Sequence, residues 1–302
     1  MDTAISVRNL TKSYKNKPVV MDLNFEIEKG SILGLLGPNG AGKTTTLKML
    51  TNLIGKTTGD ILIDGISLES NPKQALRLVG ASLDTPAFYN EFTAFENLAY
   101  IAKLHEQISR EKLLALLELV GLSEETTKKV KHYSLGMKQR LALARALIHD
   151  PKLIILDEPA NGLDPQGMRK LYQLIRTLAE QKVTFIISSH QLSDMEHLCT
   201  DVLILNKGKC LIHGKTKELI QSDNSLIQLA FCDQQKGRSW LQGLSTVEIL
   251  QESEADFSVR LKEISFDAFL KQLVKSGHVI QKLSIRQKSL EDRFIELTEG
   301  WD

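Results

Sequence analysis

The sequence predicts an α/β protein in two parts: a larger unit built on a parallel sheet, then a smaller α+β unit of ferredoxin-like kind. Three observations predict it. A short apolar strand at 32–36 runs through a glycine-rich turn into a helical stretch. A strand, helix, strand succession spans 153–188, and two parallel strands can be joined only by such a crossover. Beyond 225 the apolar pattern starts afresh in the order β-α-β-β-α-β-α, which approximates a split β-α-β sandwich.

The elements follow in order. Over 5–64 the chain reads as short strands with turns; Phe25 and Ile27 alternate with Glu26 and Glu28, the period of a half-buried strand. Gly30 ends that run, and 32–36 is almost uncharged, as suits a strand buried on both faces. From 93 to about 148 the period becomes helical. Thr93 with Glu96 forms a capping-box pattern, in which hydroxyl and carboxylate satisfy free amides at a helix start. Leu113, Leu114, Leu116, Leu117 and Val120 give an apolar helical face that stops at Gly121. Strands are expected at 153–156 and 183–188, with a helix between them carrying Leu171, Leu174, Ile175 and Leu178. A polar stretch, 213–225, contains a linker at 219–225. After it, strands are expected at 226–231, 247–250, 257–261 and 279–285 and helices at 234–241, 265–275 and 289–298, the last opened by Ser289 and Asp292 as a capping pair. The expected boundaries are 1–218 for the first unit, with a helical part at about 88–150, and 226–302 for the second.

Composition narrows the function classes. Of 302 residues, 42% are hydrophobic and 25% charged, enough apolar side chain for packed cores. The 38 basic and 37 acidic residues leave a net charge of +1, which does not favour a globally basic nucleic-acid binder; no nucleic-acid partner is expected. No apolar run reaches the length of a membrane helix, and Met1-Asp2-Thr3-Ala4 lacks the features of a signal peptide. Cys199, Cys210 and Cys232 show no metal-ligand spacing and read as reduced packing residues of a cytosolic protein.

Two motifs carry chemistry. Gly37-Pro-Asn-Gly-Ala-Gly-Lys-Thr44 fits G-x-x-x-x-G-K-[ST] between a buried strand and a helix, the context that motif requires. Gly37, Asn39, Gly40 and Gly42 let backbone amides curl around phosphates, and the helix start adds a positive dipole end. Lys43 reaches the β- and γ-phosphates, Thr44 can ligate Mg²⁺, and Thr45 can donate to the α-phosphate. The second motif, Leu153-Ile-Ile-Leu-Asp157-Glu158, is a buried strand ending in two carboxylates. Asp157 is placed on Mg²⁺, directly or through water, and Glu158 as general base for water.

With those motifs on the page, the chain resembles the ATP-binding subunits of ABC transporters over about 5–213. The resemblance implies a P-loop NTPase fold of the ABC ATPase type, with an antiparallel β subdomain and a helical subdomain. Ser134-Leu-Gly136-Met-Lys-Gln-Arg140 stands where that family has Leu-Ser-Gly-Gly-Gln; Ser134 and Gly136 match, while Leu135 replaces a glycine and Met137 a glutamine. In the family this segment grips ATP held by the opposite subunit, which implies a head-to-tail dimer, either a homodimer or a pairing with a paralogous ATPase. Asn161-Gly-Leu-Asp164 matches the family's D-loop, His190 its switch histidine, and Tyr14 its adenine-stacking aromatic. Asp84 occupies the position of a family glutamine that touches Mg²⁺ and water. The signature variant, the acidic residue at 84 and Asn-Gly-Leu-Asp-Pro resemble the branch that exports bacitracin- and lantibiotic-type peptides, although that branch usually has glutamate at the position of Asp84.

The resemblance implies a Mg²⁺-dependent ATPase, cytoplasmic and peripheral on the inner face of the cell membrane, that powers a separate integral membrane permease. Export of a peptide antibiotic or similar amphiphile is the expected cargo function. Phe88-Tyr89-Asn90-Glu91-Phe92, three aromatics in five residues, reads either as the permease-docking patch or as a local core cluster. The alternatives are a soluble ABC-type ATPase and a weakly hydrolysing nucleotide-dependent regulator.

Overall fold

The computed structural model describes residues 2–83, 86–105, 108–125, 127–221, 226–253, 256–262, 264–286 and 289–298. The chain divides into two compact units, 1–215 and 216–302.

In the first unit a six-stranded sheet runs in the order Lys209–Lys215, Asp201–Asn206, Ile32–Leu36, Thr184–Ser189, Leu153–Leu156, Val79–Ser82. All neighbours are parallel except the antiparallel edge pair 201–206 and 209–215. Every residue of Ile32–Leu36, Leu153–Leu156 and Thr184–Ser189 is buried, which is why these strands are uniformly apolar rather than alternating. A second, antiparallel sheet orders Lys17–Glu28, Thr3–Tyr14, Thr58–Ile63 and Ile66–Ser67. Between the sheets, Leu47, Met49 and Leu50 of the helix Lys43–Leu50 join Ile5, Leu23, Ile27, Leu35, Ile155 and Leu203 in one core. Each such side chain contributes about 1.5–3 kcal/mol on full burial, so the helix that begins at Lys43 is fixed by its apolar side and leaves its N-terminus to chemistry.

Three helices form the helical part: Ala94–Ala102, Arg110–Leu119 and Leu135–Ala146. The capping box at Thr93 closes both ways, Glu96 N donating to Thr93 Oγ1 at 3.2 Å and Thr93 N to Glu96 Oε2 at 2.7 Å. Leu113, Leu116, Leu117 and Val120 are buried as expected. Leu114, placed on that face from sequence, is exposed, because at 3.6 residues per turn it points away from the stripe through 113, 116, 117 and 120. Of the cysteines, Cys199 is buried and Cys210 half-buried, but Cys232 is exposed and is not a packing residue. Burial pushes the Cys199 thiol far up, so it is inert.

The second unit begins at Thr216, and the short helix Thr216–Gln221 occupies 219–221, which the sequence reading gave to a linker; 222–225 lie outside the described residues. Its four strands pair in the order Val247–Glu252, Phe257–Leu261, Leu226–Phe231, Ile280–Arg286, all antiparallel. The first strand thus lies between the third and fourth, the split β-α-β arrangement. Helices Gln234–Gln242 and Phe266–Lys275 contribute Leu241, Phe269 and Leu273 to a core with Ile227, Leu229, Phe231, Phe257 and Val259. Ser289 and Asp292 cap the last helix reciprocally: Asp292 N donates to Ser289 Oγ at 3.1 Å and Ser289 N to Asp292 Oδ2 at 2.9 Å.

Candidate nucleotide site

The glycine-rich turn leaves the C-terminal end of Ile32–Leu36, where an open parallel sheet places its ligand crevice. Gly37 has φ 143°, and a Cβ there would meet Leu205 O at 2.1 Å, so only glycine lets the loop start against the neighbouring strand. At Gly40 (φ 80°) nothing lies within 4 Å of a Cβ position; Asn39 and Gly40 are exposed and the turn is open on that side. Gly42 caps the helix Lys43–Leu50. Thr44 and Thr45 stand half-buried on its first turn, and among the described residues the Thr44 hydroxyl makes no hydrogen bond. The turn at Lys207 and Gly208 supports the loop from behind: Gly208 N donates to Ala41 O at 3.1 Å, and Met21 N to Gly208 O at 2.8 Å.

Lys43 is buried. Its Nζ donates to Gly37 O at 2.7 Å and Pro38 O at 3.3 Å and lies 3.5 Å from Glu158 Oε1. His190 Nδ1 lies 2.9 Å from Glu158 Oε2. One carboxylate therefore meets the loop lysine with one oxygen and the histidine with the other. Glu158 itself stands in the left-handed region at φ 47°, a conformation a glutamate adopts only when its surroundings impose it.

Ser188, which the sequence reading placed only as the end of a strand, anchors that turn. The register of the parallel pair sets Leu156 opposite Ile187, which brings 157 and 158 beside 188. The fully buried Ser188 donates its hydroxyl proton to Asp157 Oδ1 and accepts from Glu158 N at 2.9 Å. The second Asp157 oxygen keeps no partner among the described residues. Tyr172 was also missed. With Glu158, Asn161, Ser188, His190 and Met195 it lines a narrow cleft, and burial pushes its phenol well above the usual range, so it stays a neutral wall. Its only sequence signal was a polar-tipped aromatic on an otherwise amphipathic helix.

Ser134, Gly136 and Asp164 are not in this cleft. With Leu135, Met137, Arg140, Gly162 and Leu163 they line a separate cavity of about 290 Å³. Ser134 caps Leu135–Ala146, accepting from Met137 N at 3.3 Å, and Asp164 caps Pro165–Glu180, accepting from Gly167 N at 2.8 Å. Two capped helix starts thus share one open surface, each with free amides suited to an anion. Tyr14 ends the strand Thr3–Tyr14, exposed at 48%, with Lys12 Nζ 4.7 Å from its ring centre. Asp84 lies outside the described residues.

Around the aromatic segment 88–92 the side chains separate. Phe88 is half-buried, while Tyr89 (52%), Phe92 (36%) and Tyr100 (45%) are exposed. Tyr89 packs on both others, ring centres 5.1 and 5.0 Å apart. Buried Asn97 fixes the segment: its Nδ2 donates to Tyr89 O at 3.1 Å and to Thr93 O at 2.9 Å, and its Oδ1 accepts from Tyr89 N at 2.9 Å. Three exposed rings on a pinned backbone form an apolar surface patch.

The hard oxygen donors of Thr44 and Asp157, beside a loop open at Gly40, fit a nucleotide phosphate chain with Mg²⁺. A family model described as ABC transporter matches residues 20–161. The bacitracin transport ATP-binding protein BcrA of Bacillus licheniformis is 39% identical over 302 residues, covering 99% of both chains. The lantibiotic transport ATP-binding protein SrtF of Streptococcus pyogenes is 39% identical over 220 residues, 73% of this chain and 93% of its own. Among solved structures, a dimeric post-hydrolysis state of the ATP-binding cassette MJ0796 bound to ADP and Pi superposes with a TM-score of 0.63 at 25% identity, over 70% of this chain and 98% of that one.

Proposed function

The chain belongs to the ABC transporter family as its ATP-binding, ATP-hydrolysing subunit, and from that premise we propose that Lys43, Thr44, Asp157, Glu158 and His190 form its MgATP site. The observation that carries the assignment is the convergence of Lys43 and His190 on the two oxygens of Glu158, at 3.5 and 2.9 Å. The loop amides and the helix start at Lys43 hold the phosphates. Lys43, now spent on Gly37 O and Pro38 O, turns to the β- and γ-phosphates and frees Glu158 Oε1 for a water. That oxygen takes the water proton as the water attacks the γ-phosphorus, and the bond to the β,γ-bridging oxygen breaks with its electron pair leaving on ADP. His190 holds the carboxylate from the other side. Thr44 and Asp157 would hold Mg²⁺, with Asp84 as a further ligand directly or through water, and the ion would supply neutralisation of phosphate charge. Tyr14 stacks on the adenine.

Ser134, Gly136 and Asp164 face a second subunit's nucleotide, so the active form is a head-to-tail dimer; MJ0796, a cassette of the same fold, is described as dimeric in its ADP- and Pi-bound state. The patch of Tyr89, Phe92 and Tyr100 docks a separate membrane permease, which places the subunit on the cytoplasmic face of the membrane. No helix among the described residues is long and apolar enough to cross a membrane. The likeness to BcrA and SrtF supports export of a peptide antibiotic or similar amphiphile, and the second unit, 216–302, is an accessory domain.

Nucleotide binding and steady-state turnover of Lys43→Ala test the site. Loss of turnover by at least about a hundredfold, the scale of removing a preorganised charge from developing negative charge, is expected; turnover near the unsubstituted rate would reject the assignment. Cells expressing the chain with its permease should gain tolerance to bacitracin-type peptides, and unchanged tolerance would reject the cargo.

A further inference from the structure

At Val79, the start of the sheet's edge strand Val79–Ser82, lies a cavity of about 930 Å³ that shares no lining residue with the nucleotide cleft or the aromatic patch. Three stretches of chain build its polar wall: Lys73 and Arg77, His105 and Lys112, and His149 and Asp150. Lys73 and Arg77 are exposed, four residues apart on one helical turn, a spacing at which like charges repel. Among the described residues neither has a hydrogen-bond or ion-pair partner. Lys112 is bonded to Asp150, so three cations stand against one carboxylate among the described residues of the wall. His105 and His149 stack, ring centres 4.8 Å apart and planes 4° from parallel. A carbonyl only accepts, so the 3.0 Å contact of His149 Nε2 with Val79 O puts the ring proton on Nε2. Nδ1 is left buried and without a partner, and burial holds this imidazole below the ordinary histidine range. Leu76, Leu104 and Ile108 form an apolar side, on which Leu104 is 78% exposed.

We propose that this cavity binds a phosphate monoester, its dianion held by Lys73, Arg77 and Lys112 and its organic part resting on Leu76, Leu104 and Ile108 beside the stacked imidazoles. The charge selects the class. A dianion meets the excess of cations, whereas one carboxylate would leave a cation unmatched and a bare inorganic ion would leave the apolar side uncovered. The guanidinium fork of Arg77 suits two phosphate oxygens, and Lys73 adds a point charge one turn away. A volume of this size suits a small organic molecule, and the orphaned Nδ1 of His149 marks a wall that the protein alone leaves unsatisfied. The same chemistry occurs in soluble phosphate esters and in the head group of phosphatidic acid.

In the first arm of the test, glycerol 3-phosphate is titrated into the full chain with saturating MgADP present, and the imidazole signals of His105 and His149 are followed by NMR. Saturable shifts of both are expected. Lys73→Gln with Arg77→Gln should raise the dissociation constant at least about tenfold, the scale of losing one charge-assisted hydrogen bond. Arg77→Gln alone should move it the same way, and serves if the double variant misfolds. Lys271→Gln with Lys275→Gln makes the same change of net charge on exposed lysines of the helix Phe266–Lys275 and should leave binding unchanged. In the second arm the chain is sedimented with phosphatidylcholine vesicles carrying phosphatidic acid or, at equal charge, phosphatidylglycerol. Retention on phosphatidic acid alone, lost in the Lys73 and Arg77 variant, identifies the lipid as the source; imidazole shifts without retention identify a soluble ester. Unmoved imidazole signals with no selective retention overturn the proposal. So does an equal loss of binding in the Lys271 and Lys275 control, or retention on both lipids alike, since either would mean that surface charge alone is at work.

Discussion

Replacing Ser188 by alanine removes one oxygen and no carbon, in a fully buried position, yet two groups of the site depend on it. The hydroxyl proton goes to Asp157 Oδ1, and the hydroxyl oxygen receives Glu158 N at 2.9 Å. A hydrogen bond to a charged group contributes about 1.5–3 kcal/mol, and a buried amide left without a partner costs about 1–3 kcal/mol. Because the two share one hydroxyl, the losses do not simply add, and a destabilisation of about 2–4 kcal/mol is expected. Part of it falls on catalysis. Glu158 is held at φ 47°, and a residue in that region lies about 1–3 kcal/mol above its relaxed conformation. Without the Ser188 acceptor the turn relaxes, and restoring it for each turnover costs about 1.4 kcal/mol, or tenfold in rate. Steady-state ATPase assays at saturating MgATP should therefore show kcat down about tenfold with KM little changed, since no loop contact of Lys43 or Gly42 is touched. Ser188→Thr keeps the hydroxyl and should recover most of the rate, at the cost of one extra buried methyl. A kcat for Ser188→Ala within about twofold of the unsubstituted enzyme, or a rise in KM alone, would refute the reasoning.

Two further outcomes can be checked on the purified chain. Glu158→Gln keeps the shape of the side chain but loses the charge that meets Lys43 and takes no proton, so turnover should fall by about 10²–10⁴. Size exclusion with MgATP should then show a trapped dimer, and a monomer at high protein concentration would reject the head-to-tail pairing. Asp64 provides a pH test: hydrogen bonds from Lys152 at 2.6 Å and Lys29 at 2.7 Å hold its carboxyl below the usual carboxylate range. A depressed folded value means that the unfolded chain takes up the proton first. The contribution is complete above the unfolded value of about 3.9 and is lost as pH falls through the folded value. Asp64→Asn should lower the denaturant midpoint at neutral pH and converge with the unsubstituted chain in acid; parallel curves at all pH values would count against the ion pairs.

The elements that sequence made legible are those whose signals are local. The strand at 32–36 and the helix after Lys43 announce themselves through an uncharged run, a glycine-rich turn and a helical period, all within twenty residues. Thr93 and Glu96, three apart, cap one helix, and Ser289 and Asp292 another. Leu114 shows the limit of the same logic: an apolar residue near a stripe is not on it, and only the facing helices decide which side is covered. The role of Ser188 was invisible because its partners lie thirty-one and thirty residues away and meet it through the pairing register of two parallel strands. Gly208 was invisible for the same reason, its contact with Ala41 crossing most of the unit. Nor did the aromatics at 88–92 reveal alone which rings are exposed; Asn97 and Arg145, on two other stretches of chain, sort Phe88 inward and leave Tyr89 and Phe92 outside.

By itself, then, the sequence made legible the strand at 32–36, the crossover over 153–188 and the element order beyond 225, a phosphate-type loop, a carboxylate-ended strand, and the family they imply, because each is written in neighbouring residues whose spacing is set by backbone periodicity; the strands Val79–Ser82, Asp201–Asn206 and Lys209–Lys215 were not read from it. The tertiary structure alone decided that Lys43 and His190 meet on one carboxylate, that a buried serine anchors that carboxylate's turn, and that Arg145 lies against the Phe88 ring and Ala87 O beside an apolar groove. Those are properties of distances across the sheet and between helices, which packing sets and no local pattern records.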